Sequence, residues 1–189
     1  SLNEAENLLS KKLDQLSGEL SKKFVKMEKD RINYLLKNQK LTYYSYYQYI
    51  TGEAIPDSLS FTEFIDENDL INEAALELDE YREYLKNAWS FKYVDNDDDK
   101  SYSETAKDLL KKVREEIKNK MVARSLFYDI FSEYTRYNGF EELSDEYSWI
   151  KDNIKDSAKL AMQADLFKKW DKISAGKIIT DKVTMIINF

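Results

Sequence analysis

Cysteine and histidine are both absent from this 189-residue chain, and there are only 4 glycines and 1 proline. Without cysteine there is no disulfide and no thiol nucleophile. Without histidine there is no Ser-His or Cys-His catalytic pair and no haem axial imidazole. Lacking both, the chain has no structural zinc site of the usual kinds. The absence of cysteine does not by itself exclude an oxidising compartment. So few turn residues disfavour a β-sandwich or a Rossmann fold. Glycine-rich phosphate loops are missing. A di-iron bundle is excluded, because its Glu-x-x-His motif needs histidine. No stretch approaches the length of apolar residues that a transmembrane helix requires. The opening, Ser1-Leu2-Asn3-Glu4, carries no basic region followed by an apolar run. A removed signal and one never present read alike there.

What is present suits a folded helical domain. Hydrophobic residues make up 42% and charged residues 34% of the chain, enough for one sizeable domain or two small ones sharing a core. Lys and Arg total 29 against 36 Asp and Glu, a formal net charge of −7. An acidic surface repels phosphate backbones, so nucleic acid is disfavoured as a partner. Basic pairs such as Lys11-Lys12 and Lys111-Lys112 alternate with acids at helical spacing and read as solvated helix faces.

Apolar periodicity predicts the elements. Leu9, Leu13, Leu16, Leu20, Phe24 and Met27 recur at steps of three and four, continuing through Ile32 and Leu35 or Leu36, as in one long helix that Gly18 weakens. That helix either packs within the chain or forms a coiled-coil dimer. Leu41 to Ile50 contains five tyrosines and permits a strand. A helix is preferred, with Tyr43, Tyr46, Tyr47 and Ile50 on one face and Gly52 as its C-cap. Ser60 and Glu63 match a capping box. Asp66 to Asp69 is a polar turn, Leu70 to Leu78 a short apolar segment of undecided type, and Asp79 opens a helix with Tyr81, Tyr84, Leu85, Ala88 and Trp89 on one face. Ser101 or Ser103 caps a long helix running to Asn138-Gly139, with Met121 and Phe127 in its stripe, and Ser144 opens another ending at Ser174-Ala175-Gly176. Phe127, Ile130, Leu85, Trp89, Trp149 and Ile154 are expected in the core. The tail is different: Ile178-Ile179-Thr180 and Val183 to Ile187 are β-branched and strand-like. The expected architecture is therefore all-α, a bundle of about six helices over residues 1–176, with a short β-like tail over 177–189. An unpaired apolar strand invites pairing, so the tail is expected either to fold back as a hairpin with Ile178-Ile179 or to pair across a homodimer, its apolar face covering part of the helical core.

Candidate chemistry is sparse. Asp95, Asp97 and Asp99 occupy positions one, three and five of an EF-hand loop, but Lys100 and Ala106 stand where glycine and a bidentate glutamate are required. A solvated loop without calcium is expected. No carboxylate pair stands out for glycoside hydrolysis. No catalytic residue, metal ligand or cofactor site is read, and the chain is expected not to be an enzyme on its own. The one candidate surface for a ligand or partner is Tyr43, Tyr44, Tyr46, Tyr47 and Tyr49. Tyrosine suits recognition, since its ring is large, amphipathic and cheap to order. The plainer expectation is that these rings are half-buried core.

The order of the parts resembles a known one. Phe64-Ile65-Asp66-Glu67-Asn68-Asp69-Leu70, followed by Leu78-Asp79-Glu80-Tyr81-Arg82-Glu83-Tyr84-Leu85, is similar to the helical region of secreted TlpA/ResA-like thiol-disulfide oxidoreductases. There it precedes a thioredoxin-like domain. The stretches 103–138 and 144–173 resemble the later helices of that region, and Ile173-Ser174-Ala175-Gly176 resembles its exit. Asp181 to Phe189 is similar to the strand that leads into Trp-Cys-x-x-Cys. The resemblance covers roughly residue 30 to the end, and its phrases are loose. No redox motif is present, so no catalytic residue carries over. The resemblance implies a non-enzymatic accessory or interaction module, periplasmic or at the cell surface, whose partner is a protein or a missing thioredoxin-like domain. The alternative is a helical small-molecule or glycan-binding protein that uses a Tyr/Trp surface.

Overall fold

The computed structural model describes residues 2–53, 65–93 and 100–174. Those residues are all-α, with seven α-helices and no strand among them. In order, α1 is Leu2–Leu16, α2 Lys22–Thr51, α3 Asp79–Tyr93, α4 Tyr102–Glu116, α5 Lys120–Asn138, α6 Ser144–Asn153 and α7 Ser157–Ser174. Two 3-10 turns, Asp69–Ile71 and Glu73–Ala75, lead into α3, and a third, Glu141–Leu143, leads into α6. The Ser60 capping box, the acids from Asp95 to Asp99 and the β-like tail of 177–189 lie outside the described residues.

Each of the three long periodic stretches is split by one break. The first splits at Gly18. Ser17 Oγ donates to the Asp14 carbonyl (2.7 Å), and Ser21 Oγ caps α2 by accepting from the Phe24 N–H (3.2 Å). The chain then turns back, so that Lys29 reaches Asp14 at 2.8 Å. The second splits at Ile117–Asn119, where the Asn119 side chain accepts from the N–H groups of Met121 (3.0 Å) and Val122 (3.2 Å). The third splits at Ile154–Asp156, where Asp156 accepts from the N–H groups of Ala158 (2.9 Å) and Lys159 (3.0 Å). A side-chain acceptor that satisfies orphan N–H donors stabilises a new helix start by about 1 kcal/mol.

Other boundaries agree with the expectation. Ser101, not Ser103, caps α4, in a reciprocal capping box with Glu104. Gly52 (φ +67°) ends α2 and Gly139 (φ +81°) ends α5. The Leu41–Ile50 segment is helical, but it is the continuation of α2 rather than a separate element. At 1.5 Å per residue, α2 is about 45 Å long.

Packing runs as a chain of neighbours: α1 on α2, α2 on α3, α3 on α4 and α5, and α5 on α4 and α6. The core is centred on α3 and α5. Tyr81, Tyr84, Leu85, Leu110, Val113, Val122, Leu126, Phe127, Phe131, Leu143 and Ile150 have essentially no exposed surface. Phe127, Ile130, Leu85, Trp89 and Ile154 are buried as expected, whereas Trp149 is half-buried, its ring tilted against Phe127 with centroids 4.0 Å apart. Tyr34 joins α2 to α3 through ring contacts with Tyr81 (4.8 Å) and Tyr84 (5.5 Å). Its hydroxyl accepts from Asn72 Nδ2 (2.7 Å), and Lys37 pairs with Asp69 beside it, which fixes the 3-10 turns against α2. Burial pushes the Tyr34, Tyr81 and Tyr84 phenols up from their ordinary value. Among the described residues, no helix is long and apolar enough to cross a membrane.

Candidate functional site

The tyrosine segment sits on the C-terminal half of α2. Successive residues step 100° around a helix. Leu41 is buried against the core. Tyr43, Tyr46, Tyr47 and Ile50 therefore fall on the opposite side. Tyr43, Tyr46, Tyr49 and Ile50 are 57%, 58%, 85% and 73% exposed. This corrects the expectation of half-buried core rings. The shared face was rightly phased, but it points to solvent. Tyr47 is half-buried. Its hydroxyl donates to Glu53 (3.2 Å), its ring lies 6.1 Å from that of Tyr43, and that carboxylate holds its phenol above the ordinary value. Tyr44 belongs to the same helix, and its side chain lies outside the described residues. Apolar exposure continues on the first two helices: Leu9 and Leu16 of α1 and Phe24 of α2, expected in an inward stripe, face solvent, as do Leu8 and, at the start of α5, Met121.

Two concave features escaped the sequence reading. The first is a polar cleft of about 460 Å³ between α3 and α5, closed at one side by Met162 of α7. Arg82 pairs with Asp79 (2.6 Å), and Lys86 pairs with Glu133 across the helices. Asp129 stands between them and accepts no hydrogen bond among the described residues. Burial raises its carboxyl above the usual range, against the pull of Arg82, Lys159 and Lys86. Behind Ser132, the buried Gln163 donates to the serine hydroxyl at 2.6 Å. The cleft gathers charges that mostly neutralise one another, and no group in it is placed as a nucleophile beside a base. Among the described residues, no three acids stand close enough to hold a metal ion.

The second is a groove of about 530 Å³ where α6 and α7 meet the end of α5. Phe131, Tyr147 and Phe167 form a ladder of nearly parallel rings from core to surface, with centroids 6.2 and 5.2 Å apart. Phe140 stands edge-on to all three, at 5.7, 5.2 and 5.2 Å. Edge-to-face contact puts a positive ring rim against a negative ring face, which favours this arrangement over free rotation. Trp170, one turn beyond Phe167, rests on Gly139, where a Cβ would lie 3.3 Å from the indole. Glu141, Ser144, Ser148, Lys151 and Asp171 form the polar rim. Phe140, Tyr147, Phe167 and Trp170 lie on three elements, so no sequence period connects them. The concave Tyr/Trp cluster that a ligand-binding reading requires is thus found here and not on α2.

Comparison of the chain with protein-family models, with curated proteins and with solved structures gives no match. The likeness to TlpA/ResA-like oxidoreductases therefore rests on its sequence phrases alone.

Proposed function

We propose that this chain is a non-enzymatic helical interaction module, the accessory region of a periplasmic thioredoxin-like redox protein, and that it works by protein–protein contact through α2. The observation that carries the reading is the solvent-facing group Tyr43, Tyr46 and Ile50, on the side of α2 opposite buried Leu41, with exposed Tyr49 flanking it at the helix end. Large rings held on a rigid helix bury much area on contact while losing little conformational freedom. Grouped apolar exposure of this kind marks a partner surface. The redox context and the compartment come from the resemblance. Homodimerisation through 177–189 belongs to the same proposal. Sedimentation of the intact chain beside its Ile186→Lys variant tests it, and equal masses would sink it.

Two measurements test the module itself. The reading frame beyond Phe189 is expected to continue into Trp-Cys-x-x-Cys, and a frame without that motif removes the redox assignment. Titrating the isotope-labelled chain with that thioredoxin-like domain is expected to shift the amides of residues 43–51, and to shift them less in a Tyr46→Ser, Tyr49→Ser variant. Shifts elsewhere only, or none, would refute α2 as the contact.

A further inference from the structure

We propose that the ring-lined groove between α6 and α7 is a binding site for a neutral saccharide. The site is separate from the α2 surface and does not depend on its role.

The platform is fixed before any ligand arrives. Phe131 is wholly buried, Tyr147 stacks on it, Phe167 stacks on Tyr147, and Phe140 braces all three from the side. The outermost ring, Phe167, is 40% exposed although aromatic neighbours hold it. A preformed apolar face costs little ordering on binding. The volume lies within the range of small-molecule sites, about 300–1,000 Å³.

The rim decides the ligand class. Glu141 and Asp171 make no hydrogen bond or ion pair with any described residue. Ser148 donates to the Ser144 carbonyl (3.1 Å) and keeps its acceptor lone pairs. These carboxylates and hydroxyls are strong partners for ligand O–H groups. Two acids against the single Lys151 leave the rim acidic, on a chain of net charge −7, so an anionic ligand is repelled. A cationic ligand meets Lys151, whose ammonium already lies 4.9 Å from the Tyr147 ring centroid. That ammonium occupies the cation–π position beside Tyr147 and opposes a second cation there. A ligand that is uncharged, rich in hydroxyls and apolar on one face satisfies both walls. A pyranose has those three properties: its C–H face stacks on Phe167 and Trp170 while its hydroxyls reach Glu141 and Asp171. Because the groove spans several rings, a disaccharide is expected to bind more tightly than its monosaccharide.

The test uses the full chain, isotope-labelled. It is titrated to millimolar levels with glucose, cellobiose, maltose and the disaccharide of N-acetylglucosamine, beside glucuronate and choline as charged probes. At least one neutral disaccharide is expected to shift the amides of residues 140–151 and 167–171 saturably, and more strongly than glucose. Trp170→Ala removes a stacking face. Glu141→Gln and Asp171→Asn keep the shape and weaken only the acceptors, so they report even where the tryptophan variant folds poorly. The paired amide variant is expected to weaken binding about tenfold, a loss of about 1.4 kcal/mol. The proposal is overturned if no neutral saccharide moves these amides, if glucuronate or choline binds better, or if the amide variants leave the affinity unchanged.

Discussion

Phe127→Ala probes the packing where α4, α5 and α6 meet. Phe127 has no exposed surface; its ring lies 4.0 Å from Trp149 of α6, and the Arg114 guanidinium of α4 lies 5.8 Å from its centroid. Removing the ring forfeits its burial, about 1.5–3 kcal/mol, and leaves a cavity that the surrounding helices cannot close by shifting one side chain. Together these place the loss at about 3–5 kcal/mol. A domain of this size has about 5–15 kcal/mol in total, so the variant sits near the edge of folding. Phe127→Leu fills part of the cavity and keeps the protein measurable. Urea unfolding followed by far-ultraviolet dichroism and by tryptophan fluorescence gives both values. A double-mutant cycle of Phe127→Leu with Trp149→Leu is expected to show a coupling of about 0.5–1.5 kcal/mol from the ring contact. If Phe127→Ala costs less than about 1 kcal/mol, the level of an ordinary surface change, the placement of α5 against α6 is wrong.

Three further outcomes are expected. Gly139→Ala should destabilise by about 1–3 kcal/mol, because φ +81° and ψ −167° suit only glycine and the added Cβ would press on Trp170, whereas Gly18→Ala, with nothing within 4 Å and no positive φ, should stabilise by about 0.4–1 kcal/mol; guanidinium unfolding of both reads the opposite signs, and equal signs would contradict the backbone geometry. Asn119→Ala should lose about 1 kcal/mol through the cap of α5, lowering the melting temperature by about 2–4 °C, and an unchanged temperature would mean that the α4–α5 break does not depend on that cap. Asp129→Asn should stabilise at neutral pH: a carboxyl raised in the folded state holds its proton more tightly there than unfolded, so its charge costs stability once pH exceeds the folded value; the gain over wild type should shrink as pH falls through the carboxylate range, and a gain that grows on acidification would reverse the assignment.

Much of this fold was legible because helical periodicity is a local property. The apolar faces of α3, α4 and α5 and the caps at Ser101, Gly52 and Gly139 could each be read within a few residues. The breaks were not. An apolar stripe is read the same way whether a helix continues or folds back on itself, because the period within each half is unchanged. The signals were present but weak: Asn119 and Asp156 are acceptors standing just ahead of helical runs, and Gly18 is a permissive turn residue. The groove was beyond reach for another reason. Phe140, Tyr147, Phe167 and Trp170 meet only because α6 and α7 turn back against the end of α5, and that turn is set by packing far from each ring in sequence.

The tyrosines show where phase, not composition, held the missing information. Tyrosine is intermediate in burial preference, so its identity does not choose a side. Tyr34, Tyr81 and Tyr84 are core, while Tyr43, Tyr46 and Tyr49 face water. The deciding fact is that α2 runs unbroken through Leu41. Tyr34, Asn38 and Leu41, at steps of four and three, are buried and define its inward face. Carried forward at 100° per residue, that phase leaves 43, 46 and 50 on the far side. Dividing the chain at Leu41 reset the phase and lost this constraint. One continuous helix makes the outward direction of Tyr43 and Tyr46 a consequence of Tyr34 and Leu41. The exposed row is therefore built into the registry of α2, and moving it inward would require unpacking the contact between α2 and α3.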